Sequence, residues 1–531
     1  MRRWALVPVL CWAMSAHAQP AWLPLSRDVE RPHAKGLQAV GSEAHTAIRP
    51  YRREEVQALA VEDSIRLSAV LPALDRWAGV RNGRKFRWGP LLDASAGFSA
   101  MEEQPLLPRA GAGFWSDLDL GDKWSFHLDA QTWGERFVDY MDTLVRATRV
   151  APGEGYAYGD GPEFGHFEVN GQVSWDPGRF FNLTAGRGRN AIGDGHRSMM
   201  LSDEAASYPF LRITTSVWRI RYMNLFARMS DIRGSRGYIG DYRPKYASMH
   251  YLSWNITKRI NVGLFEAIMW SAGDSTYPRG FDLHYLNPLI FYRPVEFQIG
   301  SPDNALLGGS FSVKVWKHTM VYGQVMLDEL LLDEVRGGKG WWANKQSLQL
   351  GVVAREAFGV HGLHLRAEWD YVRPFMYTHS DTRQNYAHFG QPLAHPFGSN
   401  VQEAIVHAER DHGRWMYGLR TSMAWLGSDT EYSYGNNIFR PERDRPRDAG
   451  GNPVNYGYYP GNASLVTLFH GEARGGFLLD PSTGTRLEAS YLYRQRDAEG
   501  GNTTTTHFFR LGVVCHLRER HPEQEVRYLL P

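Results

Sequence analysis

Between Ala112 and Thr132 apolar and polar residues alternate with a period of two. Ala112, Phe114, Leu118 and Leu120 are apolar with Asp117 and Asp119 between them. After Gly121-Asp122-Lys123 the series resumes as Trp124, Phe126, Leu128 and Ala130 against Ser125, His127, Asp129 and Gln131. Successive strand side chains point to opposite faces, so this is a pair of strands with one apolar and one polar face. The pattern recurs at Leu363, Leu365, Ala367, Trp369 and Tyr371 against His364, Arg366, Glu368 and Asp370, and at Trp415, Tyr417, Leu419, Met423 and Trp425 against Arg414, Arg420 and Ser422. Charges at every second position suit a soluble sandwich with that face in water, or a closed barrel with that face lining a lumen. The placement of aromatic residues favours the barrel. Trp124 and Trp133 bracket one strand, Trp369 and Tyr371 end another, and Trp415, Tyr417 and Trp425 span a third, as rings at a bilayer interface would.

Connections are unequal. Short turns such as Asp176-Pro177-Gly178 and Thr257-Lys258-Arg259 alternate with long segments rich in Gly, Pro and Tyr at 150–165, 231–247, 379–400 and 440–462, which read as outer loops. The expected fold is all-β, an antiparallel transmembrane barrel over residues 85–517. At about 10 residues per tilted strand, on the order of 16 to 18 strands fit. Residues 19–84 read differently. Leu67, Val70, Leu71, Leu74 and Trp77 recur at helical spacing, predicting short helices broken near Pro72 and stopped by Gly79, as a periplasmic or plug-like element. Residues 1–18 have a basic start, an apolar run and Ala16-His17-Ala18, the form of a cleaved export signal. Residues 518–531 form a tail.

Composition narrows the class. Aromatic residues make up 13% and Gly numbers 54, mean hydropathy is −0.43, and no 18-residue apolar run occurs, which excludes helical membrane spans. The 59 basic and 57 acidic residues give a net charge of +2, so nothing in the overall field attracts nucleic acid. Cleavage after Ala18 removes Cys11 and leaves Cys515 as the sole thiol, so no intramolecular disulfide forms.

The stretch GRGRNAIGDGHRSMMLSD (186–203) is the strongest candidate for chemistry. Gly186, Gly188 and Ala191 match GxGxxA, but Gly193, Asp194 and Gly195 would break the helix that a dinucleotide site requires. His196, Ser198 and Asp203 or Asp194 could compose a hydrolytic triad, but Ser198 lacks the GxSxG elbow. No cofactor or metal is expected. The polar residues Arg187, Arg189, Asp194, His196, Arg197 and Asp203, with Asn287, Arg293, Glu296 and Asp303, are expected to converge on the lumen or on an inward-folded loop. There they would pair as Arg–carboxylate contacts that rigidify the wall, with spare donors available to a saccharide. Tyr156, Tyr158, Tyr456, Tyr458 and Tyr459 on the outer loops are the candidate saccharide-contacting rings, because flat aromatics cover the apolar faces of sugars.

The blocks at 186–218, 251–270 (YLSWNITKRINVGLFEAIMW), 283–308 and 340–351 (GWWANKQSLQLG), with the leader phrase TAIRPY, resemble the Wzi-like capsule assembly family. They resemble more closely its Bacteroidetes branch, which includes the gliding-motility protein RemB. The resemblance spans most of the chain. It implies an outer-membrane barrel with a small N-terminal helical element that acts without catalysis as a surface lectin, anchoring capsular polysaccharide or serving gliding motility. The implied partners are outer-membrane lipid, surface polysaccharide and the barrel assembly machinery. A substrate-selective channel is the alternative reading, and an outer-membrane hydrolase a remote one. One departure stands out: barrels of this kind usually end on an aromatic residue, whereas HFFRLGVVCHL (507–517) is followed by a tail ending in Pro531.

Overall fold

The computed structural model describes residues 22–58, 70, 77–81, 84–100, 105–273, 279–289, 303–481 and 483–517. The export signal, the tail at 518–531, Arg293 and Glu296, and most of the helical spacing read between Leu67 and Leu74 lie outside the described residues.

Eighteen antiparallel strands close into a barrel. In chain order they begin with β1 Arg84–Phe98, β2 Leu106–Leu120, β3 Trp124–Glu135, β4 Phe164–Gly178, β5 Phe181–Gly188 and β6 Tyr208–Val217. Then come β7 Ile220–Asp231, β8 Arg243–Asn255, β9 Ile260–Ser271, β10 Asn304–Trp316, β11 Thr319–Glu329 and β12 Lys345–Arg355. The last are β13 Leu363–Val372, β14 Val401–His412, β15 Trp415–Ser428, β16 Ser464–Asp480, β17 Thr485–Ala498 and β18 Thr504–Val514. Closure is made by Phe509 to Val513 of β18 pairing with Phe98 to Ala94 of β1. Below that contact the strand Trp77–Arg81 takes over the same edge of β1, with Trp77 opposite Trp88 and Arg81 opposite Arg84. This corrects the expectation of a helix running to Gly79. The free edge of β1 offers these residues a ladder of backbone hydrogen bonds that an isolated helical turn cannot match.

The polarity of the wall is that of a membrane barrel. Phe114, Trp124 and Leu128 are 43%, 40% and 40% exposed, whereas Asp117, Asp119 and Asp129 are 3%, 1% and 4% exposed. A soluble protein would show the reverse. Apolar side chains on the outside and paired charges within require lipid around the wall and an enclosed polar interior, and the chain is an outer-membrane barrel. The eight hairpin turns at one end are short, and both ends of the barrel chain lie there. The long connections gather at the other end.

The N-terminal segment lies inside the barrel at the short-turn end. Helix α1, Arg27–Gln38, buries Asp28, Glu30 and Arg31 as well as Val29 and Leu37. A second short helix, α2, spans Arg53–Ala58. Trp22 Nε1 donates to the Ser174 and Thr184 hydroxyls of β4 and β5 at 3.3 and 3.1 Å. Arg53 meets Asp117 of β2 at 2.9 Å, and Lys314 of β10 donates to the carbonyls of Ala39 and Ser42 at 3.1 and 2.8 Å. On the far wall, Asp28 meets Arg474 of β16 and Arg486 of β17 at 3.0 Å. The segment is therefore tied to strands around the whole circumference.

Candidate functional site

Residues 189–207, which join β5 to β6, do not form an outer loop but turn into the lumen. Ile48 and Arg49 of the N-terminal segment pair antiparallel with Ile192 and Ala191, and the Gly193 amide donates to the Ala47 carbonyl at 2.8 Å. One continuous internal body results, half plug and half inserted connection. Its apolar side, Met199, Met200 and Leu201, packs on inward residues of β7 to β9 such as Met223, Met249, Tyr251, Phe265 and Met269. Glycine is required where the turn touches the wall. Gly193 has φ +138, and a Cβ there would lie 2.2 Å from Gln324 Nε2.

The polar side answers the expected pairing of arginines with carboxylates. Arg197 is fully buried and grips Glu403 through Nε and Nη2 at 2.9 and 3.0 Å, with Nη1 on Glu204 at 3.1 Å. The successive amides of His196 and Arg197 donate to the two oxygens of Glu368 at 2.7 and 2.8 Å. A buried carboxylate cradled in this way satisfies its acceptors while fixing the turn. The His196 ring meets His407 edge-on at 4.4 Å between centroids. Arg189 donates to the Asp203 carbonyl at 2.9 Å, and Arg27 of α1 lies 3.6 Å from the Asp203 carboxylate. Burial pushes the half-buried Asp194 carboxyl up, against an opposing hydrogen bond from Thr46.

Arg189, Asp194, His196, Arg197 and Asp203 thus come together in the lumen. The other described candidates do not join them. Arg187 is exposed at the end of β5. Asn287 caps the turn at Leu283–Leu286, accepting from the Leu289 amide, and Asp303 takes Arg279 at 2.7 Å and the Tyr285 hydroxyl at 2.6 Å. The expected convergence therefore holds only for the inserted connection. The Ser198 hydroxyl donates to the Ile192 carbonyl at 2.5 Å and to Gln324 at 3.3 Å, so the described residues assemble no Ser–His relay there.

The tyrosines belong to two separate connections at the long-loop end. Tyr156 and exposed Tyr158 pack edge to face at 4.7 Å, with Tyr158 stacked on Phe167. In the β15–β16 connection, Tyr456 and Tyr459 present exposed rings while their hydroxyls are held by Glu334 at 3.2 Å and by the Gly338 carbonyl at 2.6 Å. Tyr458, expected beside them as a surface contact, is buried. Its hydroxyl donates to the Val454 carbonyl and its ring packs on Phe375, because the connection folds back over the start of the β13–β14 connection and needs an apolar anchor. The residues that support this patch were not singled out from the sequence. They are Trp342, under the Arg445 guanidinium at 3.7 Å, and Lys345, which is ion-paired to Glu442. The GWW at Gly340 to Trp342 was the available signal.

Among the described residues, two groups of possible metal donors, Glu135, Glu154 and His166, and Asp370, His395 and Glu403, each gather their ligand atoms within 4.8 Å. Arg109 pairs with both glutamates of the first and Arg197 with Glu403 of the second. A guanidinium so placed already supplies the counter-charge, and both groups are ion-pair networks.

A closed eighteen-strand barrel with an apolar belt, an occupied lumen and an aromatic rim at its long-loop end defines an outer-membrane β-barrel of the plugged kind. Among solved structures it is similar to Wzi of Escherichia coli, an outer membrane protein involved in group 1 capsule assembly and a carbohydrate-binding β-barrel. The TM-score is 0.53 at 14% identity, over 92% of this chain and 99% of that one. It also matches OccD3 (OpdP) of Pseudomonas aeruginosa with a TM-score of 0.40 at 11% identity, over 84% and 96% of the two chains. At these identities the likeness concerns the fold. No protein-family model and no curated protein matches the sequence. The comparisons do not carry the resemblance to the Bacteroidetes branch or to motility.

Proposed function

We propose that this barrel holds a surface polysaccharide at its long-loop rim. The observation that carries the reading is the pair of exposed rings, Tyr456 and Tyr459, whose hydroxyls are pinned to Glu334 and Gly338 above a lumen filled by the protein's own chain. A preorganised aromatic face loses little conformational entropy when it covers a sugar ring. The carbohydrate binding named for the Wzi barrel of similar fold is consistent with this reading. In it, Asp194, His196, Arg197 and Asp203 hold the inserted connection in place, and the sugar contacts belong to the rim.

The test is binding of the host's purified capsular or exopolysaccharide to the detergent-solubilised protein. Tyr456→Ala with Tyr459→Ala is expected to weaken binding at least tenfold while heat-modifiable barrel migration is unchanged; undiminished binding refutes the assignment. Planar-bilayer recording addresses the channel reading. Stable open current blocked by a small solute would replace polysaccharide holding with transport. One rim would serve capsule retention and gliding motility alike, and the process lost in a strain carrying the double variant identifies which it serves.

A further inference from the structure

Between α1 and the wall formed by β12 to β15 lies a cavity of about 80 Å³. Six arginines line it: Arg27, Arg31, Arg49, Arg355, Arg366 and Arg420. Only three carboxylates do, those of Glu30, Asp194 and Glu409. Carboxylates behind the lining answer part of this charge, since Arg31 also meets Asp411 at 2.8 Å and Asp28 at 3.3 Å and Arg27 lies 3.6 Å from Asp203. Glu30 is taken by Arg49 at 2.7 Å, and Glu409 is divided among Arg31 at 3.1 Å, Arg420 at 3.2 Å and Arg474 at 2.7 Å. Arg366 turns to the Asp194 carbonyl and the Tyr322 hydroxyl, with Glu368 at 3.6 Å. Arg355 donates to Gln38 of α1 at 3.1 Å and, among the described residues, forms no ion pair.

The Arg355 guanidinium, half-buried beside Arg31 and Arg366 and without an ion pair among the described residues, favours an anion in the cavity it lines. The space suits one: at about 30 Å³ per water it holds on the order of two to three waters, or one small oxyanion. Planar guanidinium forks are the side chains best matched to such a group. We propose that this cavity is an oxyanion site facing the short-turn end of the barrel, with Arg355 as its principal free donor. It accepts free phosphate or the carboxylate of an acidic sugar. The site does not depend on the rim reading above, and neither result decides the other.

Thermal unfolding of the detergent-solubilised full chain tests it, comparing sodium phosphate and sodium glucuronate with sodium chloride at matched ionic strength and pH. A saturable rise in melting temperature of a few degrees over chloride is expected. The rise should vanish in Arg355→Gln, which removes the charge but can keep its bond to Gln38. It should vanish also in Ala34→Leu, which fills the cavity without altering any charge. A rise with phosphate alone assigns a free ion, and a rise with glucuronate assigns a sugar carboxylate. No rise with either anion, or a full rise in both variants, overturns the proposal.

Discussion

The anchoring of α1 is most directly tested at Asp28. Its carboxylate meets Arg474 and Arg486 at 3.0 Å, Arg31 at 3.3 Å and His516 at 3.2 Å. Burial alone would raise its pKa, but the facing arginines outweigh that and hold the carboxyl well below the usual range. Asp28→Asn keeps the shape and removes the charge, leaving these guanidiniums with one carboxylate fewer. Removing one partner of a buried ion pair costs about 3–5 kcal/mol. At tenfold per 1.4 kcal/mol, local opening of the helix should rise roughly 10²- to 4 × 10³-fold. Hydrogen exchange followed by mass spectrometry reads this directly, because amides of α1 exchange through that opening while those of β16 and β17 serve as an internal control. Acceleration confined to α1 is expected. Unchanged α1 exchange, or equal acceleration in both strands, refutes the reasoning. The sign of the pH effect follows from the depressed native value. The contribution of Asp28 is complete above the ordinary carboxylate pKa of about 4 and is lost as the pH falls through its native value. The wild-type helix should therefore loosen only in strong acid, and the Asn variant should lack that step.

Gly193→Ala places a methyl group 2.2 Å from Gln324 Nε2 at φ +138, so a loss of about 1–3 kcal/mol is expected. Gln324→Ala added to it should restore only part, since the backbone strain stays, and full recovery in thermal or denaturant unfolding would contradict this. Burial lowers His45 in the plug and His388 in the β13–β14 connection to about 3. Both fold as neutral rings while the unfolded chain takes up protons below about 6.5, so stability should fall as the pH drops from about 6.5 toward 3. His45→Gln and His388→Asn should each flatten that slope in melting temperature against pH, and an unchanged slope would refute the assignment.

The barrel was legible wherever the inner face is polar. Asp117, Asp119 and Asp129, or Glu368 and Asp370, give a strict alternation because each buried charge sits between two lipid-facing residues. It blurs in β8 and β9, where Met249, Tyr251, Phe265 and Met269 point inward and are apolar. There the inner face packs against Met199 to Leu201 of the inserted connection, a contact that no local period can announce. Helix α1 was not read from the sequence for the opposite reason. Its residues, RDVERPHAKGLQ, include Pro32 and Gly36 and are mostly polar. It is held by partners such as Arg474 and Arg486 that lie hundreds of residues away, so local propensity carried no sign of it. The stretch at 186–203 showed its glycines and charges plainly, but its inward course depends on the ladder with Ile48 and on Gln324, both distant in sequence.

That ladder also bears on what the lumen can do. Ile48 and Arg49 pair with Ile192 and Ala191, and Arg27 donates to the His196 carbonyl at 2.5 Å, so α1 and the inserted connection cannot move independently. A path through the centre would have to separate α1 from Arg474 and Arg486 on one wall or Arg197 from Glu403 on another, besides breaking the ladder. At about 3–5 kcal/mol for each buried pair broken, one such separation approaches, and two exceed, the roughly 5.5 kcal/mol that takes a two-state equilibrium from 1:99 to 99:1. A permeating solute would have to supply that difference through tighter binding to the open state, yet it must also bind weakly enough to leave. The two demands conflict. An interior stitched to the wall at several points is consistent with the rim function proposed above, because Tyr456 and Tyr459 are held in place without closing any path.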